Sequence, residues 1–128
     1  MKLLLDTCTF LWIGDKQEKL SSRAAGLFQS AENEVYLSAA SVWEIAVKYQ
    51  DRRLTLAEPP DRLVPALRET HGILALPIDE ESALHGARLP FLHRDPFDRL
   101  LVGQAIIHGM TILTPDPIIR RYPARTIW

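Results

Sequence analysis

Apolar and polar positions fall into two alternating regimes along the chain. Runs of strand length occur at KLLLD (2–6), EVYLSA (34–39), ILALPI (73–78) and MTILT (110–114), with RTIW (125–128) a candidate fifth. Between them apolar residues recur at helical spacing. SSRAAGLFQSAEN (21–33) opens on serines suited to capping and sets Ala24, Leu27, Phe28 and Ala31 on one side. SAASVWEIAVKYQDRR (38–53) carries the second strand into a helix. PPDRLVPALRETHG (59–72) predicts a helix ending at Gly72 with Pro65 inside it. DEESALHGARL (79–89) starts on Asp79 as a cap, followed by acids that suit a helix N-terminus. DPFDRLLVGQAIIHG (95–109) predicts a very apolar helix closed by Gly109, and DPIIRRY (116–122) a short helical turn.

Apolar strands separated by helices predict an α/β fold with a mostly parallel sheet of four to five strands covered on both faces. Its 128 residues contain no linker, repeat or low-complexity stretch, so a single domain over 1–128 is expected. A chain of this size buries roughly two-thirds of its unfolded surface. Open α/β sheets bind ligands beyond the carboxyl ends of their strands, which directs attention to acids there.

Asp6 ends the first run, where Asp before Thr also suits a helix N-cap or turn. Asp116 follows the fourth run between two prolines, which also makes a natural turn. Glu44, projected on its helix, shares a side with Ser41, Lys48, Asp51 and Arg52. A solvated Glu44–Lys48 pair, worth only about 0.3–0.5 kcal/mol, accounts for that spacing. Asp98 differs. It falls within an arc of Leu101, Val102, Ala105, Ile106 and Gly109, leaving Arg99, Gln104 and His108 outside. An ionised carboxylate on the core side of a helix needs the helix N-terminus or a cation to stabilise it. Asp95 is fully explained as an N-cap, with Pro96 at the first helical position and Asp98 third, in a layout like a capping box. Asp6, Glu44, Asp98 and Asp116 converge if their strands are neighbours. Carboxylates so crowded repel unless a divalent cation joins them, and hard oxygen donors suit Mg²⁺ or Mn²⁺.

Fifteen Lys and Arg against sixteen Asp and Glu give a formal charge of −1, which supplies no overall attraction to nucleic acid or to acidic membranes. Basic residues cluster locally in KYQDRR (48–53), HRDPFDR (93–99) and RRYPAR (120–125). The single cysteine, Cys8, excludes an internal disulfide and a multi-cysteine zinc site. MKLLLD is interrupted by Asp6 too early for a signal-peptide core, and no apolar run approaches a membrane span. A cytoplasmic protein without membrane contact is expected.

LLLDTCTFLW, SAASVWEIAVK, LPFLHRDPFDRLLVGQA and ILTPDPIIRRYPARTIW together resemble PIN-domain ribonucleases, in particular the VapC-type toxins of toxin–antitoxin pairs. They stand in family order over almost the whole chain; DPFDRLL and WEIAVK are the more specific, DT and TPD weak alone. The resemblance implies a PIN-like three-layer α/β/α sandwich, RNA cleavage, homodimerisation and inhibition by a VapB-type antitoxin. It implies a metal site whose four acids map onto Asp6, Glu44, Asp98 and Asp116, holding Mg²⁺ or Mn²⁺. Asp95 lies beside that site, as a further metal contact or, ranked first, a helix cap. Thr7 and Thr114 take small hydroxyl positions flanking the acids, Thr114 the better placed to orient a carboxylate or water. Cys8 stands where a His or polar residue is often found, and is read as packing rather than as a nucleophile.

The chemistry implied is phosphodiester hydrolysis, with the cation activating water and stabilising phosphate charge; an uncoordinated acid would serve as general base. Lys48, Arg94 and Arg99 are candidates for the RNA backbone, each equally explained as an ordinary surface charge. Lys48 ranks first, one turn beyond Glu44 on the same face. His93 is either a phosphate donor or a solvated loop residue. Phe10, Leu11, Trp12 and Tyr49 are candidates for partner or dimer surface, or for core. Two rival functions remain. A PIN-like module that only binds a partner is disfavoured by the four filled acid positions. A Mg²⁺-dependent phosphatase is disfavoured because Cys8 stands where a second Asp is usual.

Overall fold

The computed structural model describes residues 1–128. Five strands, β1 (Lys2–Leu5), β2 (Glu34–Ser38), β3 (Leu74–Leu76), β4 (Thr111–Leu113) and β5 (Arg125–Ile127), form one sheet in the order β3-β2-β1-β4-β5. Every pairing is parallel. Six helices connect them: α1 (Thr7–Asp15), α2 (Ser22–Gln29), α3 (Ala39–Gln50), α4 (Pro60–His71), α5 (Glu80–Arg88) and α6 (Pro96–His108). Two 3-10 turns lie at Gln17–Lys19 and Ile119–Arg121. The expected α/β sandwich is therefore present, with all five strands parallel.

Strand alternation divides the core in two. Leu3, Leu5, Val35, Leu37 and Leu113 pack with Phe10 and Ile13 of α1, Phe28 of α2 and Val64 of α4. Leu4 and Ile112 turn to the other face, against Leu101, Val102 and Ala105 of α6. Leu3, Leu4 and Leu5 are completely buried, and each such side chain contributes about 2 kcal/mol relative to exposure. Because β1 is central, its leucines serve both layers. Phe10 thus belongs to the core and not to a partner surface. Leu11 and Trp12 also pack against that core, while Tyr49 is half-buried.

The predicted elements differ from the observed ones mainly at their ends. α2 stops at Gln29 because Asn33 Nδ2 donates to the Leu27 carbonyl at 2.9 Å, ending the helix in a turn. β3 keeps only Leu74–Leu76 of the predicted 73–78, and Pro77 beyond it has no N–H for the ladder. α4 runs through Pro65 and ends at Gly72, whose φ of 63° is the left-handed conformation that glycine adopts freely. α1 has no clear amphipathic pattern in TCTFLWIGD and was marked only by the capping Asp6.

α5 and α6 touch backbone to backbone. A β-carbon on Gly103 would lie 2.6 Å from the Ser82 carbonyl oxygen and 2.9 Å from Gly86 N. This contact braces the helix that carries Asp98. Gly103→Val should therefore destabilise the fold by about 2 kcal/mol, measured by urea denaturation. Unchanged stability would show that the two helices separate without cost.

Candidate metal centre

The register brings the carboxyl ends of β1, β2 and β4 to one level, since Leu5 pairs with both Leu37 and Leu113. Beyond that level the chain leaves β1 for β2 on one side, while β4 lies on the other, which creates the crevice of an open α/β sheet. Asp6 ends β1, Asp116 follows β4, Glu44 lies on the helix after β2, and Asp98 sits in the first turn of α6.

Each acid is held by its own local structure. Asp6 caps α1, its Oδ1 accepting from Thr9 N–H at 2.8 Å, while its Oδ2 accepts from Thr114 Oγ1 at 2.5 Å. Thr114 Oγ1 also accepts the Asp116 N–H at 3.0 Å, so one hydroxyl links two of the acids. Asp116 Oδ1 accepts from Ile118 N–H at 2.8 Å, leaving Oδ2 toward the crevice. Thr7 Oγ1 donates to Glu44 Oε1 at 2.6 Å across the α1–α3 contact. Glu44 is buried, contrary to the solvated pair its spacing suggested; Lys48 Nζ donates to its Oε2.

Asp95 and Asp98 divide. Asp95 caps α6 through Oδ1, accepting from Phe97 N–H at 2.9 Å, while its Oδ2 lies 4.0 Å from Lys48 Nζ. The reciprocal bond of a capping box is absent, because Asp95 N–H donates to His93 Nδ1 at 3.1 Å instead of to Asp98. Asp98 is buried and its carboxyl is pushed up to about 8. Burial is the main cause, reinforced by the negative charges of Asp95, Glu44, Asp6 and Asp116. Burial likewise raises Asp6, against the pull of its hydrogen bonds from Thr114 and Thr9.

This donor set fits a divalent cation. Ligand atoms of Glu44, Asp95 and Asp98 lie within 4.8 Å of one another, as do those of His93, Asp98 and Asp116. Asp98 belongs to both groups. Carboxylate oxygens dominate, and the rise in Asp98 marks excess negative charge that a hard cation would relieve.

A family model for the PIN domain matches residues 3–125. The chain belongs to the PIN-domain family. Ribonuclease VapC22 of Mycobacterium tuberculosis (strain ATCC 25618 / H37Rv) is 30% identical over 130 residues, covering 98% of each chain. Among solved structures, VapBC2 from Rickettsia felis, bound to a DNA fragment from its promoter, superposes with a TM-score of 0.74 at 15% identity, covering 99% of this chain and 98% of that one. VapBC-1 from nontypeable Haemophilus influenzae gives 0.64 at 13% identity, with 99% and 97% covered. The resemblance drawn from the motifs thus holds for family and fold.

Within this PIN domain the basic candidates separate. Lys48 turns inward to Glu44 and Asp95. Partial burial works against its ammonium, yet Glu44, Asp95 and Asp98 together raise its pKa above the ordinary lysine value. Arg99 points away from the acids: its Nη2 donates to the carbonyls of Ala87 at 3.0 Å and Leu89 at 3.2 Å, and its guanidinium lies over Phe91. It closes the C-terminus of α5, which accounts for it without a phosphate. Arg94 is exposed on the loop beside the crevice. The Cys8 thiol is pushed up to about 12 by burial and by Asp6, which suppresses the thiolate a nucleophile needs. His93 is no solvated loop residue: its Nε2 lies 3.0 Å from Asp98 Oδ2 and 3.3 Å from Asp116 Oδ2. Its only local signal is position, two residues ahead of the cap of the helix carrying Asp98. No helix is long and apolar enough to cross a membrane.

Proposed function

We propose that the chain is a Mg²⁺- or Mn²⁺-dependent endoribonuclease, the toxin of a toxin–antitoxin pair. The observation that carries this reading is the convergence of Asp6, Glu44, Asp98 and Asp116 around a crevice where Asp98 is lifted to about 8. Its family supports the reading, since the Mycobacterium relative is a ribonuclease. Glu44, Asp98 and Asp116, with Asp6 behind them, are the residues proposed to hold the cation. When bound, the cation supplies a Lewis acid that stabilises the charge developing on phosphate oxygens. Thr7 and Thr114 aim Glu44 and Asp6, so these carboxylates need little reorganisation on loading. Asp95 starts α6 and thereby sets Asp98 in place. Arg94 is the remaining candidate for the RNA backbone. The similar structures from Rickettsia and Haemophilus are VapBC proteins, and a VapB-type antitoxin is the inhibitor proposed for this chain, which would act as a homodimer.

Purified protein should cut total RNA in the presence of Mg²⁺ or Mn²⁺ and lose that activity in excess EDTA, with cleavage mapped by primer extension. Absence of cleavage on any RNA, with either cation, would point to a binding module that has no catalysis.

A further inference from the structure

We propose that His93 is a positioning residue that clamps the acids of the metal centre, its Nδ1 accepting from the Asp95 amide and its Nε2–H directed to Asp116 beside Asp98. Asp95 N–H donates to His93 Nδ1 at 3.1 Å. A backbone amide can only donate, so Nδ1 carries a lone pair and Nε2 carries the hydrogen. That hydrogen is directed to Asp116 Oδ2 at 3.3 Å, and Asp98 Oδ2 stands 3.0 Å from the same nitrogen. One imidazole thus ties together two separate elements, α6 and the segment after β4, bonded to Asp116 and in contact with Asp98.

The loop that carries the ring is itself held. His93 N–H and Leu92 N–H donate to Tyr122 Oη at 3.0 and 3.1 Å, and Tyr122 Oη donates to the Pro90 carbonyl at 2.7 Å. Tyr122 is buried against α6, so the loop is pinned to the layer that carries Asp98. Its place near two acids makes His93 resemble a metal ligand. Binding a metal through Nε2 as a neutral imidazole would move the hydrogen to Nδ1, against the Asp95 amide. Two donors would then face each other. His93 therefore acts on the acids and not on the cation, as outer partners of metal sites commonly do.

This inference rests on the proposal that these acids hold a divalent cation, and Mn²⁺ titration separates the two. Mn²⁺ affinity is measured by calorimetry for the wild type, His93→Ala and His93→Gln, with circular dichroism as the check on folding. His93→Ala should weaken Mn²⁺ binding about 10–100-fold. His93→Gln, which keeps an N–H donor at the same reach, should recover most of it. In the wild type, imidazole ¹⁵N shifts should show the Nε2–H form both without metal and with Mg²⁺. Equal Mn²⁺ affinity in wild type and His93→Ala overturns the clamp while leaving the metal site standing. An Nδ1–H form, or ¹⁴N coupling from His93 in pulsed electron paramagnetic resonance of the Mn²⁺ complex, overturns it in favour of direct ligation. A wild type that binds no Mn²⁺ overturns the metal reading and the clamp together.

Discussion

Asp98→Asn is expected to lower metal-dependent RNA cleavage by roughly a thousandfold, about 4 kcal/mol of transition-state stabilisation, in protein that remains folded. Asp98 is the acid common to both groups of potential ligands, so its charge is the one a cation would use most. Asparagine keeps the shape and removes the charge. In metal-free protein at pH 7 the wild-type carboxyl, lifted to about 8, is already mostly protonated and neutral. The substitution should therefore leave Tm in EDTA unchanged or higher, while abolishing the increase that Mn²⁺ gives the wild type. Wild-type cleavage by Asp98→Asn would remove Asp98 from the metal centre. Asp95→Asn is the contrasting variant. Asparagine caps helices as well as aspartate does, and Asp95 already spends Oδ1 on Phe97 N–H, so activity should stay within about tenfold. A loss as deep as that of Asp98→Asn would place Asp95 among the residues that hold the cation.

Asp98 was legible because helical periodicity alone put a carboxylate among apolar residues, and burial is a property that periodicity reports. The burial of Glu44 is not legible in this way, since its neighbours on the helix are polar. Its burial arises from α1 packing across α3, where Thr7 reaches it, and that contact belongs to the tertiary fold. Gln104 shows the same limit from the other side. It falls outside the apolar arc of α6 yet is fully buried, accepting from Ser38 Oγ at 2.5 Å and donating to the Pro77 carbonyl at 3.0 Å. α6 is covered nearly all round, so a one-sided pattern understates it. The surroundings of His93 and Arg99 do not show in the sequence because their partners lie on other segments: Asp116 and Tyr122 for one, the end of α5 for the other. The parallel strands, by contrast, followed from their apolar runs and from helices long enough for crossovers.

Divalent cation should stabilise the fold more at pH 8 than at pH 5.5, with a Tm increase on the order of 10 °C at a hundredfold excess over Kd, equivalent to about 2.7 kcal/mol. The sign comes from Asp98, whose carboxyl stands at about 8 in the folded chain against an ordinary value of 3.8. Between those values the folded state retains a proton that the unfolded state has released. Metal-free protein therefore has the full contribution of this group below about pH 4 and loses it as pH rises through about 8. Asp6, raised by burial, pulls in the same direction. The cation takes the place of the proton, so binding releases protons and strengthens by up to about tenfold per pH unit until Asp98 ionises unaided. Thermal melts from pH 5 to 9, with EDTA and with Mn²⁺, should converge at low pH and separate at high pH. Calorimetry in buffers of different ionisation enthalpy should register the released proton near pH 7. If metal-free Tm rises from pH 5.5 to 8 and Mn²⁺ releases no proton, Asp98 is already ionised in the folded chain. Lys48 would then supply the compensation assigned to the cation.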